Sequence, residues 1–434
     1  MMASSRIPGF YRLPPSARLG LLVENSPLQA TDAAALRGDA LTLDRADHMV
    51  ENVVGTMALP LGVGLNLRIN GEDVLVPMVV EEPSVVAAVS NMARLVREAG
   101  GFSAGSTDSL MIGQVQLTAV PDLDAAEAAV RAATPRLMAM ADAVHPRLRE
   151  RGGGPRRIDL RRLRYDEPGQ TAEDMLVVHI VVDCVDAMGA NLVNTVAERL
   201  APTLEALTGG VVGLRILSNL AAERRSWARC AIPAALLATP ESSGAEVAAG
   251  IASAYRFAWA DPYRAATHNK GVMNGIDAVA LATGNDWRAI EAGAHAWAAR
   301  DGQYRSMTRW TVDANDVLHG EIDIPIQVGT VGGSILNHPT VAANLRLMGS
   351  PRAAGLGAIM AAVGLAQNLG ALRALATEGI QQGHMRMHSR NLAVQAGAEA
   401  AEVPAVVAAL SAAGDWSVER ARAALLALRA AGPA

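Results

Sequence analysis

The chain is poor in cysteine and in aromatic residues, and each shortage excludes a class of protein. Its 434 residues include only two cysteines, Cys184 and Cys230, so neither a disulfide framework nor a cysteine-based zinc site is expected. Aromatic residues make up 3% of the chain, whereas hydrophobic residues make up 50%. Alanine, valine and leucine therefore supply most of the apolar mass, which favours helix-rich packing over an all-β sandwich.

Neither sign of charge dominates, since 38 Lys and Arg residues stand against 43 Asp and Glu residues, a net charge of −5. A general nucleic-acid-binding surface is therefore not expected, although a local basic pocket for a phosphorylated cofactor stays open. No stretch reaches 18 unbroken apolar residues, and the first residues lack the apolar segment of a signal peptide. We expect a soluble, cytoplasmic protein of two or three domains, with neither nucleic acid nor membrane as a partner.

Three elements are predicted in the first hundred residues. Helical periodicity covers Arg45–Val54. Alternating apolar residues at Leu65–Ile69 and Val74–Val80 predict a hairpin, closed by the strong two-residue turn signal Asn70-Gly71. Pro83 is expected to open the next helix.

Residues 110–218 alternate strands and helices in the order β-α-β-β-α-β, which is the split βαβ order of ferredoxin-like domains. This stretch lacks the G-x-G-x-x-G turn of a Rossmann unit, so a nicotinamide cofactor would be held in another way. The predicted elements are Met111–Val120, Asp122–Arg151, Arg157–Tyr165, Leu176–Asp183, Gly189–Leu207 and Val211–Leu217.

The rest of the chain is predicted to be rich in helix, which makes the fold class α+β. Residues 1–109 and 219–376 would form one large helix-rich domain, with the ferredoxin-like unit at 110–218 inserted into it. From residue 377 a helical tail with several glycines continues to residue 434 and suits a mobile flap.

Two adjacent carboxylates, Glu81 and Glu82, come immediately before the helix that Pro83 opens. Acidic residues at a helix start complement the helix dipole, and this alone would explain them. The alternative is functional. One carboxyl group, following the apolar run VLVPMVV, would be partly buried and kept protonated as a general acid.

The segment DPYRAATHNKGVMNG concentrates polar groups that suit the binding of a ligand. Lysine can stabilise an oxyanion as a point charge, and arginine offers a fork for a carboxylate. A solvated polar loop is the alternative interpretation. The residues concerned are Arg264, His268, Asn269, Lys270 and Asn274.

Asp286 and two histidines are further candidates. Asp286 stands where a helix N-cap is expected, so capping alone would account for it. His384 and His388 have a spacing that could hold a metal on one helix face, but no glutamate accompanies them as in HExxH, so no metal site is expected. His384, beside Gly383, is better interpreted as a proton donor near a flexible element.

DAMGAN, at Asp186–Asn191, joins a strand to a helix. Gly189 at such a turn permits the close approach of a pyrophosphate to a helix N-terminus. A plain tight turn is the alternative, and the same ambiguity applies to GTVGGS at Gly329–Ser334.

Together these motifs resemble one family in content and order. SRIPGF, ENVVG, EEPSVVAA, DAMGAN, DPYRAATHNKG, TGNDWRA, GTVGG and QGHM follow one another along nearly the full chain. In this the sequence is similar to class II 3-hydroxy-3-methylglutaryl-CoA (HMG-CoA) reductase, and most similar to the bacterial enzymes of mevalonate catabolism. The resemblance implies a homodimer or a higher multiple of dimers, with active sites between subunits and ENVVG at the interface.

The resemblance also implies roles for single residues. The catalytic residues would be Glu82, Lys270, Asp286 and His384. The residues that contact the substrate would be Ser84, Arg264 and Asn274. The dinucleotide would be bound at the DAMGAN turn by Asp186, Met188, Gly189 and Asn191.

Two departures from the family pattern matter. The motif that ends in GG[A/G]T has Ser334-Ile335 after its glycines, so the threonine hydroxyl is lost. NAD-preferring relatives carry an aspartate at the position of His145, which Arg147 follows closely. His145 and Arg147 could accept a ribose 2′-phosphate and would favour NADP(H), whereas the overall resemblance favours NAD(H). NAD(H) is the expectation, with NADP(H) left open.

The implied reaction is the four-electron interconversion of HMG-CoA with mevalonate and CoA, by two hydride transfers through a mevaldyl-CoA hemithioacetal and mevaldehyde. The resemblance to enzymes of mevalonate catabolism implies the oxidative direction as an alternative to reduction. A non-redox, lyase-type CoA-thioester enzyme that uses the same acid and lysine is the alternative. No metal has a role in either reaction.

Overall fold

The computed structural model describes residues 4–38, 40–332, 335, 337–377, 389–399 and 401–430, which form a mixed α+β architecture. The strands are β1 Leu61–Ile69, β2 Glu72–Val79, β3 Ser103–Ser106, β4 Leu110–Thr118, β5 Gly154–Tyr165, β6 Glu173–Asp183, β7 Val211–Ser218, β8 Arg225–Pro233, β9 Thr308–Val312 and β10 Val317–Pro325. The helices are α1 Pro15–Asn25, α2 Ala30–Ala35, α3 Leu43–Asp47, α4 Val85–Glu98, α5 Leu123–Asp142, α6 Pro146–Glu150, α7 Ala190–Thr208, α8 Gly244–Ala260, α9 Pro262–Ala282, α10 Trp287–Ala298, α11 Pro339–Leu347, α12 Ala353–Ala376, α13 at 389–395, α14 Val403–Ala413 and α15 Val418–Ala430.

β1 and β2 form the predicted antiparallel hairpin, in which Leu67 pairs with Val74. Asn70 and Gly71 have φ values of 52° and 85°, as a type I′ turn requires. The Asn70 side chain accepts a hydrogen bond from the backbone N–H of Ala104 and donates one to its carbonyl, which ties the hairpin to β3.

The helix predicted over Arg45–Val54 is wrong in its second half. α3 ends at Asp47, and residues 53–60 have no regular structure. Asn52 adopts a φ of 58°, which interrupts a helix, and Val54 is 98% exposed. The apolar residues of this segment therefore do not pack against the rest of the chain, and packing of an apolar face is what stabilises most short helices.

Residues 110–218 contain the strands and helices in the predicted order. The four strands form one antiparallel sheet with the order β5-β6-β4-β7, covered by α5 and α7. Alternate residues of β4, among them Met111, Val115 and Leu117, are fully buried against these helices. All buried residues of this core lie between Met111 and Ala221, so the sheet and its helices have a core of their own.

The long helix predicted over Asp122–Arg151 is two helices. α5 ends at Asp142, and α6 begins at Pro146. A proline disfavours helical backbone at the residue before it, and His145 accordingly adopts φ −132° and ψ 71°.

A second antiparallel sheet, with the order β3-β8-β10-β9, lies mostly within the region that the sequence predicts to be rich in helix, and its strands β8 and β9 were not predicted. The alternation along β8 is weak in the sequence because three of the four side chains that it buries are small, Ser226, Ala228 and Cys230. Gly320 on β10 is paired with Cys230 on β8 and with Trp310 on β9. A Cβ at Gly320 would overlap the Trp310 ring, so this glycine is required by packing.

α12 is the central helix of the largest core, which also takes in α4, α8, α9 and the second sheet. In the described part of the chain it is the one helix long and apolar enough to cross a membrane, but 83% of its most apolar stretch is buried inside the protein. It packs closely on α9, where a Cβ at Gly364 would lie 2.9 Å from Ile276 and one at Gly275 would lie 3.0 Å from Gln367. α12 is therefore a core helix that holds α9 in place.

The described part of the tail has a small core of its own. Its fully buried residues come from α13, α14 and α15 alone, and they are Ala393, Val406, Leu410, Ala421 and Leu425. The predicted helical character of the tail is confirmed for these three helices.

Candidate active site

Glu82 lies in the turn between β2 and α4. β2 ends at Val79, and Ser84, with a φ of 90°, is the N-cap of α4 without a capping hydrogen bond from its side chain. The helix therefore starts two residues after Pro83, close to the predicted place. Glu82 is half-buried, whereas Glu81 is exposed, so the turn aims the second carboxylate at the protein.

Lys270 lies in the middle of α9, with its ammonium Nζ 3.8 Å from Glu82 Oε2. Asp261 caps this helix by accepting a hydrogen bond from Tyr263 N, and Pro262 occupies the first turn. The segment is thus helical, which corrects the alternative of a solvated loop. The Lys270 side chain is 65% exposed and that of Glu82 is 32% exposed, so the pair adds little stability and is open to a substrate.

Lys270 carries a signal that motif reading missed. It is the only lysine among 434 residues, so every other side chain that is permanently cationic at neutral pH is an arginine. Arginine is a broad planar fork, whereas lysine is a compact point charge that can sit against a single oxygen. A chain that uses arginine everywhere else and lysine here has a position that requires the smaller cation.

Arg264 and Asn274 lie on the same helix as Lys270. Arg264 has no acidic partner in the described part of the chain, and burial lowers the pKa of its guanidinium. A partly desolvated, uncompensated cation attracts an anionic ligand. Asn274 follows Lys270 by one helical turn and therefore faces the same side of α9.

Asp286 is the N-cap of α10 and accepts a hydrogen bond from Ala289 N at 3.2 Å. Its Oδ1 also lies 3.3 Å from Nη2 of Arg288. In the described chain no hydrogen bond or ion pair joins Asp286 to Lys270 or Glu82. The capping interpretation of Asp286 is confirmed, and its catalytic role stays a prediction.

The buried side of α9 is fixed by His268. Its Nε2 lies 2.7 Å from Thr308 Oγ1 and 3.2 Å from Asn368 Nδ2, so one imidazole joins α9, β9 and α12. Burial, and secondarily the charge of Arg264, lowers the pKa of His268 to about 3. His268 is therefore neutral and structural, and it is not an acid in the reaction.

A half-buried cluster, absent from the sequence-based predictions, links α9 to α10. Asp277 is hydrogen-bonded to Glu291, and Glu291 is 2.6 Å from His295 Nε2. The other ring nitrogen of His295 lies 2.6 Å from the Tyr304 hydroxyl. Burial, followed by the hydrogen bond to Glu291, raises the pKa of Asp277 to about 9, so this carboxyl is protonated at neutral pH.

The DAMGAN turn sits at the N-terminus of α7. Gly189 has a φ of 105°, and a Cβ there would collide with Cys184 Sγ, so only glycine fits. The Asp186 carboxylate accepts hydrogen bonds from Arg352 Nε and from the backbone N–H of Ala353, both at 3.0 Å, and thus caps α12. Its carboxylate is already bound, which leaves backbone groups as the means of contacting a ligand.

Three further predicted cofactor residues lie around this turn. Met188 is half-buried within it, and Asn191 is exposed on the first turn of α7. His145 Nε2 lies 3.2 Å from the carbonyl of Leu192, also in that first turn. Arg147 is exposed and has no ion pair within the described ranges. The fold therefore brings His145 to the helix start that carries DAMGAN.

Two predicted features fall outside the described residues. His384, with its neighbours Gly383 and His388, lies in the undescribed stretch 378–388. The end of GTVGGS, Gly333 and Ser334, is also outside.

A cavity of about 990 Å³ opens beside the first turn of α4, between this helix and the N-terminal segment. Val86, Ala87 and Ser90 form its α4 wall, and Phe10 and Leu22 lie opposite. Its basic lining residues are Arg6, Arg18, Arg37 and Arg94. An elongated apolar ligand with anionic groups would suit this lining.

The chain is similar to known proteins along most of its length. Residues 15–389 match the model of the hydroxymethylglutaryl-coenzyme A reductase family. The 3-hydroxy-3-methylglutaryl-coenzyme A reductase of Archaeoglobus fulgidus is 49% identical over 404 residues, which are 93% of this chain and 90% of that protein. A probable 3-hydroxy-3-methylglutaryl-coenzyme A reductase of Borreliella burgdorferi is 36% identical over 79% of this chain and 76% of its own length.

Solved structures give the same result. The class II 3-hydroxy-3-methylglutaryl-CoA reductase of Streptococcus pneumoniae, bound to NADPH in open conformations, superposes with a TM-score of 0.81 at 43% identity, covering 96% of this chain and all of that one. A second structure of the Streptococcus pneumoniae enzyme has a TM-score of 0.82 at 42% identity, covering 97% of this chain and 99% of that one. The chain therefore belongs to the class II HMG-CoA reductases, the NAD(P)-dependent oxidoreductases that interconvert HMG-CoA and mevalonate.

Proposed function

We propose that the reduction takes place where α9 faces the turn after β2, and that Lys270 and Glu82 act directly on the reacting carbonyl. The observation that carries this proposal is the 3.8 Å contact between Lys270 Nζ and Glu82 Oε2. It supports the proposal because an ammonium and a carboxyl group this close together can both reach one carbonyl oxygen. The relatives that match most of the chain are reductases, which decides against the non-redox alternative.

The chemistry divides between these two residues. The nicotinamide, when bound, supplies the hydride for each reduction. Lys270 stabilises the oxyanion that forms on the carbonyl oxygen, an effect of about 3 kcal/mol for a well-placed donor. Glu82 gives that oxygen its proton. Asp286 is the third member of the group, which rests on its place in the TGNDWRA motif.

We assign His384 to the protonation of the departing CoA thiolate. A thiolate with a pKa near ~8.5 needs a donor that is charged near neutrality, which imidazole provides. Replacing His384 with Gln should slow turnover of the thioester far more than reduction of free mevaldehyde, which has no thiolate to expel. Equal losses on both substrates would remove this role.

The cavity beside α4 is our site for the CoA moiety. Its apolar walls suit the pantetheine arm, and Arg6 and Arg37 have no acidic partner in the described chain. Ser84, Arg264 and Asn274 would then hold the acyl group beyond the start of α4. Anionic phosphates bind where such arginines converge. Replacing Arg37 with Glu should raise the KM for HMG-CoA and leave the KM for mevaldehyde unchanged.

We propose that the dinucleotide lies at the DAMGAN turn. Gly189, with a φ of 105°, forms the turn that leads into α7, and the first N–H groups of that helix have no partner within the helix and suit a pyrophosphate. The 110–218 unit has its own core, which supports its assignment as an inserted ferredoxin-like, dinucleotide-binding domain. The large core joins residues on either side of this unit, which supports one substrate domain made of 1–109 and 219–376, followed by the tail at 377–434.

The preference for NAD(H) and the direction of the reaction remain predictions that rest on the resemblance to mevalonate-degrading enzymes. His145 and Arg147 leave room for NADP(H), and one relative was solved with NADPH bound. Replacing Arg147 with Glu should raise the KM for NADPH by about tenfold and leave that for NADH nearly unchanged, because a carboxylate repels a 2′-phosphate. Equal changes for both cofactors would place the 2′ position elsewhere.

We propose that the chain forms a homodimer through the segment that contains ENVVG. Val54 is 98% exposed and Met57 is 89% exposed, and apolar side chains so displayed in one segment suit burial against a second copy. Sedimentation at assay concentrations tests this. A fully active monomer would exclude it.

Activity measurements on a matched pair of variants test the site itself. Nicotinamide absorbance should change only when mevalonate, CoA and oxidised cofactor are all present. Glu82→Gln should abolish this change, whereas Glu81→Gln, at the exposed neighbouring position, should leave it intact. Equal activity of the two variants would mean that the acid is not in this turn.

A further inference from the structure

Three segments meet at one point in the interior. They are the DAMGAN turn, the stretch Val328–Thr330, and the turn before α10 that contains Asn285 and Asp286. Arg224, just before β8, lies at their junction.

Arg224 is a buried cation, only 4% exposed. Its Nη1 donates hydrogen bonds to the carbonyls of Ala187 at 3.1 Å and Met188 at 2.8 Å, and its Nη2 donates to the carbonyl of Val328. In the described part of the chain no carboxylate lies within ion-pair distance of it, and burial lowers the pKa of its guanidinium.

Such an arrangement is poorly explained by stability alone. A buried charge without an opposite charge is costly, and an apolar residue of similar volume would often stabilise a fold better. What the guanidinium gains instead is geometry, because its planar fork fixes three carbonyls from two segments relative to one another.

The junction continues toward the catalytic end of α10. Gly329 N donates to the side-chain oxygen of Asn285 at 2.8 Å, and Thr330 N donates to the carbonyl of Asp186 at 2.9 Å. A Cβ on Gly329 would lie 2.6 Å from Met188 N, so the two segments touch backbone to backbone. Two consecutive residues thus bridge the neighbour of Asp286 and the start of the DAMGAN turn.

We propose that Arg224 is a positioning residue that sets the distance between the dinucleotide turn and the start of α10, where Asp286 of the proposed catalytic group lies. This inference rests on the proposed placement of the dinucleotide at DAMGAN. Hydride transfer is steeply sensitive to donor-acceptor distance, and a displacement of about 1 Å can cost about 100-fold in rate. Loosening the junction should therefore slow hydride transfer and weaken dinucleotide binding, whereas the binding of HMG-CoA should not change.

The variants are Arg224→Lys, which keeps the charge but loses the fork, and Arg224→Met, which loses both. Arg225→Lys is the matched control, since the adjacent Arg225 pairs with Asp323 at the surface. Gly329→Ala perturbs the same junction without touching the buried charge, so it serves if the Arg224 variants fail to fold.

We expect Arg224→Lys to raise the dissociation constant of the dinucleotide and to lower kcat by about tenfold or more, with the KM for HMG-CoA unchanged. The deuterium isotope effect on kcat, measured with 4-deuterated cofactor, should rise because hydride transfer becomes slower relative to other steps. Gly329→Ala should do the same, and Arg225→Lys should do neither.

The proposal would be overturned if Arg224→Lys and Gly329→Ala both left the isotope effect and the dinucleotide affinity unchanged. Equal losses of affinity for the dinucleotide and for HMG-CoA would also overturn it. Asn191→Asp, which places a negative charge at the exposed first turn of α7, separates this failure from that of the proposed binding turn. If Asn191→Asp weakens dinucleotide binding and Arg224→Lys does not, the turn is assigned correctly and only the positioning role is wrong. If neither weakens it, the dinucleotide binds elsewhere and both are overturned.

Discussion

At the scale of single residues, the site depends on where charge is left uncompensated. Lys270 and Glu82 are near each other but loosely paired, so substrate can replace water between them at little cost. Arg264 is partly buried without an acid. Asp277, by contrast, has been neutralised, because burial and Glu291 keep it protonated.

The protonated Asp277 predicts a specific dependence of stability on pH. Its pKa is about 9 in the folded chain against an ordinary value of 3.8, so between these values the folded state binds a proton that the unfolded state does not. The free energy of unfolding should therefore fall as pH rises through this window. Glu291, whose pKa is lowered, changes the free energy of unfolding only at more acidic pH.

Asp277→Asn should remove this slope, since an amide mimics the protonated acid. Urea denaturation should show equal stability of variant and parent near pH 4 and a more stable variant at pH 8. Asp301→Asn, at an exposed carboxylate after α10, should leave the slope in place. Parallel pH curves for Asp277→Asn and the parent would show that Asp277 is already ionised.

At the scale of secondary structure elements, prediction succeeded where local patterning is decisive. Asn70-Gly71 dictates its hairpin turn, and alternation along β4 survives because one face of the sheet is buried by helices. It failed for β8, where three of the four buried residues are small, and for the segment that ends at Val54, a residue that is 98% exposed. The hydrogen bonds that connect Arg224 through Val328 and Gly329 to Asn285 could not be predicted. They use backbone groups, which every residue has, so they leave no pattern in the sequence.

Asp286 shows how capping and chemistry can be separated at the start of α10. Asn caps helices as well as Asp does, so Asp286→Asn should leave thermal stability unchanged and still lower kcat by about 100-fold if the carboxylate tunes Lys270. Asp286→Ala should lose both, with about 1 kcal/mol of stability lost with the cap. Full activity in Asp286→Asn would confine this residue to capping.

At the scale of the whole molecule, the described residues form four hydrophobic cores. The largest core surrounds α12 and holds α9 rigidly, which fixes Lys270 opposite the β2–α4 turn. The core of residues 111–221 carries the DAMGAN turn, a small core joins the N-terminal segment to α11, and the tail has a core of its own. Separate cores support the proposed division of the chain into an inserted domain, a large domain and a tail.

Ending the chain at Thr377 should consequently leave a folded protein that binds HMG-CoA but does not turn it over. The tail's buried residues contribute to their own core, so the rest keeps its packing. Calorimetry should give binding close to that of the full chain, and full-length His384→Gln is the control for the loss of the acid alone. CoA release by the shortened chain would contradict the role given to the tail.

The central claim is that the only lysine of the chain carries the oxyanion, and kcat/KM for HMG-CoA in Lys270→Arg and Lys270→Ala tests it most directly. Both variants should fold as the parent does, because the side chain is 65% exposed. Both should lose about 100-fold or more in kcat/KM, since arginine keeps the charge but cannot place it against a single oxygen. Retention of more than about a tenth of the activity by either variant would contradict the account, because a loss so small corresponds to less than about 1.4 kcal/mol.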